Sequence, residues 1–142
     1  MNHWLIAPLL VPLTASVALL FATGGSPALR RTLSLAATAA LLPLAILLVL
    51  QADSGAVCSY RLGDWPPPFG IVLVLDRLSA LLLLVTAVLA CCSLLAAIHG
   101  EDRRGRHFHP LFQLQLVGLN GAFLTGDLFN LFVFLEILLL AS

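Results

Sequence analysis

The sequence predicts an all-α, polytopic transmembrane helix bundle of about five helices, and three observations carry that prediction. Apolar residues make up 61% of the 142-residue chain and charged residues 10%, with a mean hydropathy of +1.06. A water-soluble domain of this length needs a polar shell that such a composition cannot supply. Apolar runs of spanning length alternate with short polar connections. Finally, a single carboxylate, Glu136, stands in the run 128–142 among Leu, Phe, Val, Ile and Ala. The formal net charge of zero argues against a nucleic-acid partner. The lipid bilayer is the expected partner.

The first segment covers residues 4–22, with Trp4 as an interfacial anchor. It lacks a basic leading region and a small-residue cleavage site, so it reads as a retained helix and not as a signal peptide. Pro8 and Pro12 fall in its first turns, where neighbouring helices can satisfy the freed carbonyls. Gly24-Gly25-Ser26-Pro27 marks a turn. The second segment covers 32–50, with a kink expected at Pro43. The polar connection 51–70 ends in Trp65-Pro66-Pro67-Pro68, which cannot be helical. Residues 71–75 read either as an extended strand or as the first turns of a long helix. With Asp76 as N-cap, the third span covers 76–98. The fourth covers 110–126 and is the least apolar. Asp127 separates it from the fifth, 128–142, and caps that helix.

Arginine placement predicts orientation, because short Arg-rich loops stay in the cytoplasm. Arg30 and Arg31 lie in the first connection, and Arg103, Arg104 and Arg106 in the third. The second carries Arg61, with Arg77 at its far membrane edge. The first and third connections are therefore expected inside. The second, the N-terminus and the turn at Asp127 are expected outside a bacterial inner membrane. The fifth segment supplies about 22 Å of helix, short of a full span. That predicts the front part of a larger membrane protein.

Glu136 lies about 12 Å along a helix that starts at Leu128, near the middle of a hydrocarbon core about 30 Å thick. An ionisable group at that depth is a functional candidate by default and points to proton or ion movement. No cation in the five segments lies at comparable depth, so Glu136 is either protonated or paired with a group outside them. The fourth segment holds Gln113, Gln115 and Asn120, which suit either interhelical hydrogen bonding or a hydrated path. Gly118, Ala122 and Gly126 repeat at four-residue spacing and predict one smooth packing face. Asp76 reads as a helix cap or as a charge on the path. His99, His107 and His109 gather in one loop, where no Cys or carboxylate completes a metal set at ligand spacing. A surface role or proton uptake fits them, His99 included. Cys58, Cys91 and Cys92 form no even disulfide framework, and the adjacent pair reads as small packing residues.

Two stretches carry a family resemblance. FHPLFQLQLVGLNGAFLTGDLFNLFVFLEILLLAS, at 108–142, resembles the fourth and fifth helices of the antiporter-like membrane subunits. These subunits are shared by respiratory NADH dehydrogenase and the multisubunit monovalent cation/proton antiporters. The part from Gly121 onward is most similar to the D-type subunits of those antiporters. GDWPPPFGIVLVLDRLSALLLL, at 63–84, is similar to the loop and third helix of the same subunits. The resemblance implies a fold of about fourteen helices with inverted repeats, of which this chain is the N-terminal part. It also implies that Glu136 is the fifth-helix glutamate of a first proton half-channel, paired in that family with a lysine on the seventh helix.

The expected function follows: a membrane subunit of a proton-coupled monovalent cation (Na+/H+) antiporter, with Glu136 as proton relay. Its partners would be other membrane subunits, protons and monovalent cations. The alternatives are a proton-pumping membrane-arm subunit of NADH-quinone oxidoreductase or a membrane hydrogenase, and a non-catalytic assembly bundle. No motif for a nicotinamide, flavin, quinone, iron–sulfur or metal cofactor is present, so a transporter subunit is expected more than an enzyme.

Overall fold

A computed structural model of the chain describes residues 3–55, 57–62, 70–103, 105 and 107–142. Five α-helices and one two-stranded antiparallel hairpin are present among them: α1 (Ala7–Phe21), α2 (Pro27–Asp53), β1 (Cys58–Arg61), β2 (Val72–Leu75), α3 (Arg77–Ala97), α4 (Phe108–Leu124) and α5 (Leu128–Ala141). Short 3-10 turns at His3–Ile6, Ala22–Gly24 and Glu101–Arg103 join or precede them. Trp65 to Pro68, Arg104 and Arg106 lie outside the described residues.

Local chemistry sets the boundaries. α2 begins at Pro27 and not near residue 32, because Ser26 Oγ accepts from Leu29 N–H at 3.3 Å and proline fits the first helical position. Arg30 and Arg31 therefore belong to the helix and not to the connection. Residues 72–75 form the strand, the extended one of the two expected arrangements. Asp76 then starts α3 with a reciprocal cap: its carboxylate accepts from Ser79 N–H at 2.7 Å, and its own N–H donates to Ser79 Oγ at 2.9 Å. Asp127 caps α5 by accepting from Asn130 N–H at 2.8 Å.

Among the described residues, three helices are long and apolar enough to cross a membrane: Trp4–Phe21, Pro27–Asp53 and Arg77–Ala97. α4 has 17 residues and α5 has 14. α4 is central and touches the other four helices, chiefly α1 and α5. That position explains its polarity, since its side chains meet protein on most sides. Leu41, Leu48, Leu83, Ala87, Leu116 and Leu124 form the core between α2, α3 and α4. The outward faces stay apolar: Leu78, Leu81, Val85, Leu89 and Leu95 of α3 are all exposed. Such a belt needs lipid or protein against it.

The hairpin closes one end. Leu73 and Leu75 are fully buried, and Gly126 N–H donates to Val72 O at 2.7 Å. At the opposite end, Arg31 of α2 reaches Asp102 of the Glu101–Arg103 turn.

The expected smooth face of Gly118, Ala122 and Gly126 is corrected by the fold. Gly126 lies beyond α4, where an added Cβ would meet Val74 Cγ2 at 2.6 Å. Gly118 and Gly121 are the close-approach positions on α5. A Cβ at Gly118 would sit 2.9 Å from Leu138 N, and one at Gly121 would overlap the ring of Phe134. The three-residue step places both glycines on the α5 side of α4.

Gly121→Ala should therefore destabilise the bundle by about 1–3 kcal/mol, the usual cost of overpacking. Phe134→Leu in that background should restore part of the loss. Gly24→Ala, where an added Cβ meets nothing within 4 Å, should be neutral. Thermal melts of the membrane-extracted protein check all three.

Candidate functional site

Polar groups inside the bundle lie along one face of α4. His109, Gln113 and Asn120 are spaced by four and seven residues, which a helix stacks on one side. All three are buried.

Asn120 answers a defect in α1. Pro12 has no N–H, so the Pro8 carbonyl one turn earlier lacks its helical donor. Asn120 Nδ2 donates to Pro8 O at 2.9 Å and fills that place. Leaving such a carbonyl unpaired would cost about 1–3 kcal/mol. Ser16 Oγ adds a second tie between the helices by donating to Pro110 O at 2.9 Å.

Gln113 joins α4 to α2. Its two Nε2 hydrogens are shared among Ser34 O and Ser34 Oγ, both at 3.1 Å, and Thr38 Oγ1 at 2.9 Å. Thr38 in turn donates to Ser34 O at 2.9 Å. Gln113, Ser34 and Thr38 are each 0% exposed. Among the described residues, Gln113 Oε1 and His109 Nδ1 are buried atoms without a hydrogen-bond partner.

At the arginine-bearing end, Arg31 grips Asp102 through two contacts, Nε to Oδ2 at 2.5 Å and Nη2 to Oδ1 at 2.7 Å. His109 Nε2 lies 3.5 Å from Asp102 Oδ2. The Arg31 guanidinium holds the Asp102 carboxyl below the usual carboxylate range, with a smaller contribution from His109. Sequence reasoning missed Asp102. Its partner Arg31 is 71 residues away, and no local pattern announces the pair.

The other expected site residues lie apart. Gln115 is half-buried and makes no hydrogen bond among the described residues. His99 is exposed, with Nδ1 3.0 Å from Leu95 O. Asp76 is exposed at the hairpin end, and its bonds from Ser79 hold the carboxyl below its ordinary value. Arg77 turns from Asp76 towards Asp53, with 3.0 Å to its carbonyl and 3.6 Å to its carboxylate. No group of three or more potential metal ligands occurs among the described residues.

Glu136 stands on the outward face of α5. Asn130, Phe134 and Ala141 are the buried residues of that helix. Phe129, Val133, Glu136 and Leu140, at steps of four, three and four, face away from the other helices and are exposed. Glu136 has no hydrogen-bond or ionic partner among the described residues. The glycine contact at 118 and 121 fixes this orientation by turning the Phe134 side of α5 inward.

No protein-family model matches the chain. Over its whole length it is 46% identical to the D-type subunit of a probable K(+)/H(+) antiporter from Rhizobium meliloti, covering 27% of that protein. It is 38% identical to the D-type subunit of an Na(+)/H(+) antiporter from Alkalihalophilus pseudofirmus, again over its whole length and covering 29% of the relative. The solved Mrp complex from Dietzia sp. DQ12-45-1b contains a similar chain, with a TM-score of 0.88 and 35% identity over 99% of this chain and 27% of that one. The chain thus spans a little over a quarter of the length of the relatives it matches.

The depressed Asp102 value has a definite pH consequence. A carboxylate whose folded value lies below its unfolded value stabilises fully above the unfolded value of about 3.9, and loses that contribution as pH falls through the folded one. The joint between α2 and the Glu101–Arg103 turn should hold unchanged from about pH 5 to pH 8 and loosen only in stronger acid. Asp102→Asn should lower the melting temperature at neutral pH and reduce the acid sensitivity. Melts across pH for the two proteins check this.

Proposed function

The chain belongs to the D-type subunit family of Mrp-type cation/proton antiporters, and we propose that it is a membrane component of a complex exchanging a monovalent cation for protons, with Glu136 as the intramembrane proton relay. The observation that carries this reading is Glu136 itself, unpartnered among the described residues and outward-facing midway along an apolar helix. An ionised carboxylate there is costly in lipid. It must take up a proton or meet a cationic or polar group from beyond these five helices. Both alternatives couple its charge to its surroundings, and that coupling is what a relay requires.

The cation is proposed as a class. The names of the relatives specify K+ in one case and Na+ in the other. Nothing in this chain's described side chains favours either ion. The partners are further membrane segments or subunits that cover the α5 face. In the proposed orientation the Arg31–Asp102 end faces the cytoplasm and the hairpin faces outward. Arg30 and Arg31 in the first turns of α2 and the arginines of the third connection support it.

Glu136→Gln should leave assembly intact and reduce cation-driven proton exchange by about tenfold or more, since an amide cannot release a proton near neutral pH. Glu136→Asp should keep partial activity. The measurement is the cation-driven ΔpH in membrane vesicles at matched expression. Exchange at the wild-type rate in Glu136→Gln would remove this carboxylate from the proton path.

Orientation has a separate test. In a background with Cys58, Cys91 and Cys92 replaced, a cysteine at Gly105, beside Arg104, should react only with reagent on the cytoplasmic side. One at Ser59 should react only from outside. The opposite pattern reverses the topology.

A further inference from the structure

Two buried atoms without a hydrogen-bond partner among the described residues, His109 Nδ1 and Gln113 Oε1, lie on the same face of α4, one turn apart. Side chains four residues apart on a helix are neighbours, so the two groups can share one partner. His109 is 5% exposed and Gln113 is 0% exposed, so bulk solvent does not satisfy either atom. We propose that one buried water is shared by His109 Nδ1 and Gln113 Oε1, and that this pair forms a proton-holding site at the arginine-bearing end of the bundle.

The chemistry of the two atoms matches a water molecule. The Asp102 carboxylate faces His109 Nε2 at 3.5 Å and is an acceptor only, so the neutral ring carries its proton on Nε2. Nδ1 is then an acceptor. Gln113 Oε1 is also an acceptor, because Nε2 of the same amide is committed to Ser34 and Thr38. Two acceptors without donors are what the two hydrogens of one water satisfy. The Ser34 hydroxyl accepts from Gln113 and keeps its own proton free for the water oxygen. A buried water typically makes about three such bonds.

Proton uptake at this site is balanced. A proton delivered through the water adds to the Nδ1 lone pair and gives an imidazolium. Nε2–H then faces Asp102, and Nδ1–H donates to the water oxygen. Release to the water restores the neutral ring. The charged groups acting on His109 are Asp102 of the Glu101–Arg103 turn and Arg30 and Arg31 of α2. Exposed Glu101 and His107 lie in the same connection. α1 contributes the Ser16 hydroxyl to the adjacent Pro110 carbonyl and no charge. Burial and the two arginines oppose a charge on the ring, and Asp102, kept ionised by its grip on Arg31, is the counter-ion that favours it.

The role of this site in transport rests on the antiport reading, whereas the water itself does not. Two measurements on the assembled membrane complex that carries this chain separate them. A high-resolution density map should show a water within about 3.2 Å of both atoms, and Gln113→Leu should lose it. Absence of that water in the wild-type map overturns the proposal. In vesicles, the exchange rate should show a pH inflection between about pH 5 and pH 8 that His109→Gln abolishes at matched expression. An inflection that survives His109→Gln also overturns it. If His109→Gln does not assemble, 15N NMR of the wild-type ring decides: Nδ1 should titrate in that range, and a ring that never titrates refutes the site. A wild-type complex that exchanges no cation for protons would sink the antiport reading and leave the density map to judge the water.

Discussion

Inside a bilayer, a hydrogen-bonding group without a protein partner has no solvent to turn to, and the arrangement of α1, α2 and α4 follows from that constraint. Pro12 removes a donor from α1, and Asn120 replaces it from α4. Gln113 spends its amide hydrogens on Ser34 and Thr38 of α2. The least apolar helix is consequently the central one, since only a helix surrounded by others can place amides against protein and not lipid. These bonds also fix register. Sliding α1 by one residue would separate Asn120 from the carbonyl that Pro12 leaves open.

Close packing does the rest. Gly118 and Gly121 let α5 approach so near that the Phe134 ring fills the place of a Cβ. This contact sets the rotation of α5 and so decides where Glu136 points. The orientation of the candidate relay is therefore controlled from α4, a different helix. A change at either glycine would move Glu136 without touching it. Assays of such variants need stability as a companion readout, because rotation and unfolding both reduce activity.

Much of the fold was legible because it depends on local rules. Hydropathy marked the helical segments, Asp76 and Asp127 announced their caps, and the prolines pointed to carbonyls that a neighbour would satisfy. The start of α2 was less legible, since Ser26-Pro27 reads equally as a turn and as a cap followed by a first helical residue. The small-residue face was misassigned for a physical reason. Four-residue spacing presumes that the helix continues through Gly126, whereas Thr125 is already extended and Gly126 bonds to β2. Within the candidate site, the place of Glu136 along α5 could be read from sequence, but its outward direction could not. That direction is a property of the α4–α5 contact. The Arg31–Asp102–His109 cluster was illegible, as long-range ion pairs leave no periodic signal.

Two kinds of polarity are separated in this bundle. Asn120 and the nitrogen of Gln113 are engaged by carbonyls and hydroxyls of neighbouring helices, so they hold structure. Glu136 is the opposite: ionisable, at mid-helix, and directed away from every helix described. A bundle that satisfies a proline's stray carbonyl with an amide from the next helix does not readily leave a carboxylate facing hydrocarbon. The asymmetry therefore argues that the partner of Glu136 belongs to the surface that covers α5. The side chain brought against Glu136 by that surface then selects its protonation state. A lysine would favour the ionised form, and an apolar surface the protonated one.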